Sequence, residues 1–404
     1  MTIPIAMPER LTSRLRLVAS GRLARGLMVA LLACFVLTGA ALAATSPTQP
    51  ASGPGGQDYL GATVAKRVVG KAGAVTYAYH LATPATQPRP VVVLFHAWGA
   101  INPRVYGNWI EHLARKGLVV LVPRYQELNR TRGVDASERA VVALGEALSQ
   151  LATDPQAMPD RERVAFLGHL AGAGVAANVA GLSVARGLPV PRLVFVVTPG
   201  GLASDPKSRG IPLTDVATIP AETMIVTLIG DRDHIPSDRA ARRILRESVD
   251  VPVTRKLFMR MQSDDHGYPP LSATLVAAGS ANDAYDASGL KLPPEPPLPR
   301  GTRPQASSPD ARLSGEQMTL IASLQASNTD TIDWLALWKT FDMARDAAFA
   351  GRDTVSLRDD PAFTDMGRWS NGWPLKRLSA EVPRDPSGAA VPAEAQRTLQ
   401  APRR

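Results

Sequence analysis

The chain has 404 residues, 45% of them hydrophobic, enough for one large domain with additions or for two or three domains. Lys and Arg outnumber Asp and Glu by 45 to 36, but the first 43 residues carry five Arg and one Glu, and without them the balance is 40 to 35, a net charge of +5 rather than +9. No Lys/Arg run or interleaved aromatic patch appears, which argues against a nucleic-acid partner, and the single cysteine, Cys34, lies in that same leader, which excludes disulfides and thiolate metal sites from the remainder.

In the leader, Arg10, Arg14, Arg16, Arg22 and Arg25 precede an apolar run from Gly26 to Ala43, and Ala41-Leu42-Ala43 has the small residues of a cleavage site. This is the layout of a secretory signal peptide, residues 1–43, with export to the periplasm or medium and a mature start near Ala44. If left uncleaved, about 18 apolar residues just span a bilayer and would anchor the protein, the one route to a membrane partner. The "LLAC" ending at Cys34 is followed by more apolar residues, against lipidation. Residues 44–57, rich in Pro, Gly and Ser, are expected to be a flexible linker.

From residue 58 onward, apolar strand-like runs alternate with helical segments. Thr63 to Val69 and Val75 to His80 are predicted as an antiparallel edge. "PVVVLFH" (Pro90 to His96) is apolar throughout, as a strand buried on both faces must be. "NWIEHLARKG" predicts a helix stopped at Gly117, "LVVLVP" a strand, and Glu138 to Leu151 a long helix. Further strands are predicted at Val164 to Leu167, Leu193 to Thr198, Met224 to Ile229 and Lys256 to Met261. This alternation predicts an α/β fold over residues 58–290, with a mainly parallel sheet and helices on both faces. Seven prolines between Pro293 and Pro309 make 291–312 an extended connector. Asp330 then caps a helix with Trp334, Trp338, Phe341 and Ala348 at helical spacing and a stop at Gly351. Its apolar face calls for docking on the preceding domain, since a lone helix has no core of its own. The extension is read as 313–380, and 381–404 as a disordered tail.

"RVAFLGHLAGAGVAANVA" (Arg163 to Ala180) reads as a strand, a Gly/Ala-rich turn and a helix. In a nucleophile elbow, Gly-x-Ser-x-Gly places a serine at the tip of such a turn; here Gly168, His169, Leu170, Ala171 and Gly172 put leucine there. "HAWG" (His96 to Gly99) follows a buried strand, where backbone N–H groups can face a developing oxyanion. "GDRDH" puts Asp231 or Asp233 at another strand's C-terminal edge, and "DDHGY" puts His266 in a loop at the same edge, where catalytic groups of open α/β sheets collect. A carboxylate there can hold the His266 tautomer and leave its other nitrogen free as a base.

These residues resemble the α/β-hydrolase family, in its dienelactone-hydrolase and chlorophyllase-like branch, over about Thr63 to Ala278. "HAWG" is similar to the family's His-Gly-x-Gly oxyanion loop, with Ala97 for the first glycine, and "GHLAG" to its Gly-His-Ser-x-Gly elbow. The resemblance implies an α/β-hydrolase fold, esterase-like chemistry on a small ester-like ligand, Asp233 as acid, His266 as base, and the N–H groups of Ala97 or Trp98 and of Ala171 as oxyanion donors. Leu170 has no nucleophilic atom, so no acyl-enzyme can form on it. No Ser, Thr or Cys lies between Gly168 and Leu182, Ser183 falls about three turns down the helix, and His169 is expected to point away from the site.

Two functional readings follow: an exported hydrolase-fold protein inactive as a serine hydrolase, or an enzyme in which His266 and Asp233 act as a general-base pair without a covalent nucleophile. "GAGVAA" (Gly172 to Ala177) fits a dinucleotide fingerprint, but the strand ends before Gly172 and the next one, ending "FVVTPGG", offers no acid for a ribose, so no cofactor is expected. His234 and His266 with Asp231, Asp264 and Asp265 lack the pairing of a metal site on one helix, and none is expected. Trp98 and Tyr268 are read as packing residues near the mouth. The oligomeric state is left open.

Overall fold

The computed structural model describes residues 43–205, 208–233, 237–294 and 311–383. The leader to residue 42, His234, most of the proline-rich connector and the tail from residue 384 lie outside the described residues. Residues 46–383 belong to one compact unit.

A nine-stranded sheet organises that unit: β1 (Val64–Lys71), β2 (Ala74–Leu81), β3 (Arg89–Phe95), β4 (Val119–Pro123), β5 (Pro159–His169), β6 (Leu193–Val197), β7 (Met224–Gly230), β8 (Lys256–Met261) and β9 (Ser379–Glu381). The spatial order is β1-β2-β4-β3-β5-β6-β7-β8-β9. Strands β3 to β8 are mutually parallel, whereas β1, β2 and β9 run antiparallel to their neighbours. The β1–β2 hairpin turns on Ala72 and Gly73, the latter at φ +77°, where glycine adopts without strain what another residue resists. Strands β4, β6 and β7 are buried from end to end, and β3 at every residue but Pro90, as runs so rich in Val, Ile, Leu and Phe require.

Helices α1 (Gly107–Arg115), α2 (Ala136–Leu151), α3 (Ala171–Leu182) and α4 (Ser237–Glu247) connect the strands. Alternate side chains of each strand go to opposite faces: Val91, Val93 and Phe95 of β3 join α2 and α3 in one core cluster. On the other face, Phe195 of β6 meets Phe341, 5.5 Å between ring centroids, and Phe341 meets Trp109 of α1 at 6.1 Å. Helices therefore cover both faces, giving an α/β protein with a mostly parallel sheet.

Phe341 lies on α6 (Lys339–Phe349), which continues a π-helical turn, Ile332–Trp338. The Asp330 carboxylate caps this segment, accepting the Ile332 N–H at 2.7 Å. Four elements have no counterpart in the sequence reading: α5 (Gly315–Gln325), the short α7 (Thr354–Arg358) and α8 (Pro361–Thr364), and the three-residue β9. The expected flexible linker is corrected over residues 46–57. Thr331 Oγ1 donates to Pro47 O at 2.7 Å, Gly55 N–H to Asp342 Oδ2 at 2.9 Å and Lys116 Nζ to Gly53 O at 3.1 Å. Pro and Gly content reports local chain preference, while tertiary partners fix this arm. Among the described residues no helix is long and apolar enough to cross a membrane.

Candidate functional site

The loops after β3, β5, β6, β7 and β8 open on one edge of the sheet, and at its centre β5 turns directly into α3. Leu170 forms the tip with φ +51° and ψ −118°, a backbone conformation that costs a side-chain-bearing residue about 1–3 kcal/mol. The turn is pinned by its own backbone: Leu170 N–H donates to Val197 O at 3.2 Å, and Leu170 O accepts from Ala173 N–H at 3.0 Å and Gly200 N–H at 3.3 Å. A Cβ on Gly172 would overlap the Phe95 carbonyl oxygen, and one on Gly168 would lie 2.7 Å from Gly172 O, so both glycines are steric requirements of the bend. The Leu170 side chain is buried, at 4% exposure. The small residues of α3 serve close packing, with every residue from Ala171 to Gly181 buried. Ser183 is buried and donates to Ala180 O at 2.7 Å.

The "HAWG" loop departs from the expectation for its donors. Ala97 N–H is already bonded to Tyr106 Oη at 2.9 Å; Tyr106 Oη lies 2.9 Å from His169 Nδ1, and His169 Nε2 lies 2.8 Å from Leu275 O. With the His169 proton on Nε2, every group has a partner: Ala97 N–H to Tyr106, Tyr106 O–H to Nδ1, and Nε2–H to the carbonyl. Burial holds the His169 pKa down at about 4, so this relay is neutral. It turns His169 away from the tip, and it removes Ala97 N–H from the list of free oxyanion donors. Trp98 packs partly buried against the core, and Gly99 N–H donates to Gln126 Oε1 at 2.7 Å. Ala171 is buried at 4% exposure.

The two expected acid–base partners are engaged elsewhere. Asp233 Oδ2 accepts from Gly230 N–H at 3.1 Å and from Ser237 Oγ at 2.8 Å. Burial pushes the Asp233 pKa up to about 6 against the pull of those two bonds. Asp231 Oδ1 accepts from both Ser263 N–H, at 3.0 Å, and Ser263 Oγ, at 2.7 Å. The exposed His266 has its Nε2 3.0 Å from Asn371 Nδ2 and stacks on Trp373 at 5.3 Å and 13°, with Trp369 5.9 Å away on a tilted approach. Among the described residues, neither aspartate is hydrogen-bonded to His266, so the expected carboxylate–imidazole pair is not made. The reason lies in the C-terminal extension: Lys376 N–H bonds to Asp264 Oδ2 at 2.9 Å and Lys376 Nζ to Ser263 O at 2.8 Å, seating residues 369–376 on the His266 loop. Tyr268, at 71% exposure, does not pack.

The extension also reaches the oxyanion loop. A Cβ on Gly99 would run into Ile321 Cδ1 of α5 and lie 3.2 Å from Leu313 Cδ2, so two aliphatic side chains sit on that glycine. Four buried polar atoms just past the strand ends have no partner among the described residues: His96 Nε2 after β3, Gln126 Nε2 after β4, Thr198 Oγ1 after β6 and Asp233 Oδ1 after β7. Sequence reading missed Tyr106, Ser237, Ser263 and Asn371. Only Asn371-Gly372, a turn signal, marked any of them. His234 lies outside the described residues, and among those described no cluster of His, Cys, Asp or Glu is arranged to hold a metal ion.

Fold and site together define an α/β protein whose strand–elbow–helix unit stands at the centre of the sheet's C-terminal edge. No family model matches the sequence, and no curated protein matches it. Among solved structures the chain is similar to an esterase of the fungus Rhizomucor miehei, with 14% identity, a TM-score of 0.41, and coverage of 55% of this chain and 79% of that one. It is also similar to an esterase of Pyrobaculum calidifontis (16% identity, TM-score 0.39, 51% and 77% coverage) and a dienelactone hydrolase of Klebsiella pneumoniae (13%, 0.37, 50% and 85%).

Proposed function

We propose that this is an exported protein of α/β-hydrolase type that binds a small polar, ester-like molecule at the edge of its sheet without cleaving it. The observation that carries the reading is Leu170: the strained backbone of a nucleophile elbow is kept, but its tip bears a saturated hydrocarbon. Covalent catalysis needs an attacking atom there, and in serine hydrolases loss of that atom lowers turnover by roughly a million-fold. The engagement of Ala97 N–H by Tyr106 and of His266 by Asn371 and Trp373 supports the same reading. The four unpartnered polar atoms supply the hydrogen-bonding capacity for a polar ligand, since leaving each unsatisfied costs about 1–3 kcal/mol. The basic and apolar leader supports export, with membrane attachment as the outcome of an uncleaved leader.

The alternative, a general-base enzyme built on His266 and Asp233, requires a contact that these two residues do not make. The test assays wild type and His266→Ala against a short-chain chromogenic ester series. Hydrolysis at background in both supports the proposal. Turnover by wild type that disappears in His266→Ala supports the general-base reading instead.

A further inference from the structure

A cavity of about 320 Å³ lies away from the elbow, at the seam where the 46–59 arm crosses α1 and the π-helical turn. Its volume falls at the low end of the roughly 300–1,000 Å³ of small-molecule sites. Tyr59, Trp334 and Trp338 supply aromatic wall, and Gln57, Glu111 and Arg115 supply planar polar groups. Glu111 and Arg115 are paired at 3.3 Å, and the Arg115 guanidinium lies 4.0 Å over the Tyr59 ring. The lining therefore carries both signs in balance, which disfavours a strongly charged ligand and leaves paired donors and acceptors beside flat apolar faces.

The floor is held rigidly. His112, wholly buried, has Nε2 3.1 Å from Asp342 Oδ2 and Nδ1 3.3 Å from Tyr59 Oη, and its ring stacks on Trp338 at 4.7 Å. Gln49 Nε2 reaches the same Tyr59 hydroxyl at 3.1 Å. Two observations mark the place as more than a packing gap. Trp334 and Trp338 stand on a π-helical turn, a rare form found frequently at functional sites. Trp338, at 3% exposure, keeps an indole N–H with no acceptor among the described residues, although buried Trp N–H groups usually find one.

We infer that this cavity binds a neutral pyranose, whose C–H face stacks on the Trp334 indole while its hydroxyls exchange hydrogen bonds with Glu111, Arg115 and Gln57. The test titrates the full chain with glucose, galactose, N-acetylglucosamine and maltose, reading heat and tryptophan fluorescence. Saturable binding of at least one sugar, with Kd of about 1 mM or tighter, is expected. Trp334→Ala and the shape-conserving Glu111→Gln should each weaken it about tenfold, and Glu111→Gln should melt with the wild type. Absence of saturation with all four sugars overturns the inference, as does binding that neither variant weakens.

Discussion

Replacing Leu170 by serine supplies the missing hydroxyl while leaving the elbow backbone in place, because serine bears a Cβ and inherits the same strain at φ +51°. The stability cost comes from the side chain. Leu170 is 4% exposed, truncation of a buried leucine costs about 2–5 kcal/mol, and the new hydroxyl finds fewer partners than it would in water, so a loss of about 3 kcal/mol is expected in urea denaturation. The catalytic gain is small for a separate reason. A serine nucleophile and its histidine act as a unit, such that removing either costs about as much as removing the whole triad; here His266 Nε2 faces Asn371 and Asp233 is held by Ser237 and Gly230. Leu170→Ser should therefore hydrolyse a chromogenic ester less than about tenfold faster than wild type, with Leu170→Ser/His266→Ala the same. A gain of a thousandfold or more that the second substitution abolishes would refute this reasoning, since it would place a working base beside residue 170.

Three further outcomes follow from the same contacts. Gly172→Ala pushes a methyl into the Phe95 carbonyl and should cost about 3 kcal/mol, the upper end for overpacking; a variant as stable as wild type in urea would mean a looser elbow. Asp233→Asn removes a carboxyl whose folded pKa, about 6, lies above its ordinary 3.8. The stability this group contributes is present below pH 3.8 and lost as pH rises through 6. The variant should therefore gain up to about 3 kcal/mol on wild type at pH 8 relative to pH 4, and a pH-independent difference contradicts the assignment. Asp342 shows the opposite sign: burial would raise its pKa, but Arg345, the His112 bond and Gly55 N–H bring it down to about 2. Its contribution, about 2 kcal/mol, is complete above pH 3.8 and lost as pH falls through 2; Asp342→Asn should flatten that part of the acid unfolding curve.

The sheet was legible because strands buried on both faces are written as unbroken apolar runs such as "PVVVLF" and "MIVTLIG", and each predicted strand lies where a strand is found. The elbow was legible for a steric reason, since Gly168 and Gly172 are demanded by contacts a Cβ would violate. What stayed hidden depends on distant segments. Short β9 exists only because β8 offers an edge, and α5 presents few buried residues and so little periodic signal. The 46–57 arm is ordered by partners nearly 300 residues away, including Asp342 and Thr331. The separation of His266 from Asp233 was beyond the sequence as well, because Asn371 and Trp373, which hold the imidazole, come from the extension rather than from the strand edge that brings the loops together.

The central claim is that no covalent acyl chemistry occurs at the elbow, and intact-protein mass spectrometry tests it directly. Wild type incubated with p-nitrophenyl acetate and, separately, with a serine-directed fluorophosphonate should show no mass increase, while Leu170→Ser marks where an adduct would be sought. A stoichiometric adduct on the wild-type chain, with ester turnover at ordinary enzyme rates, would contradict the account and show that another residue serves as the nucleophile.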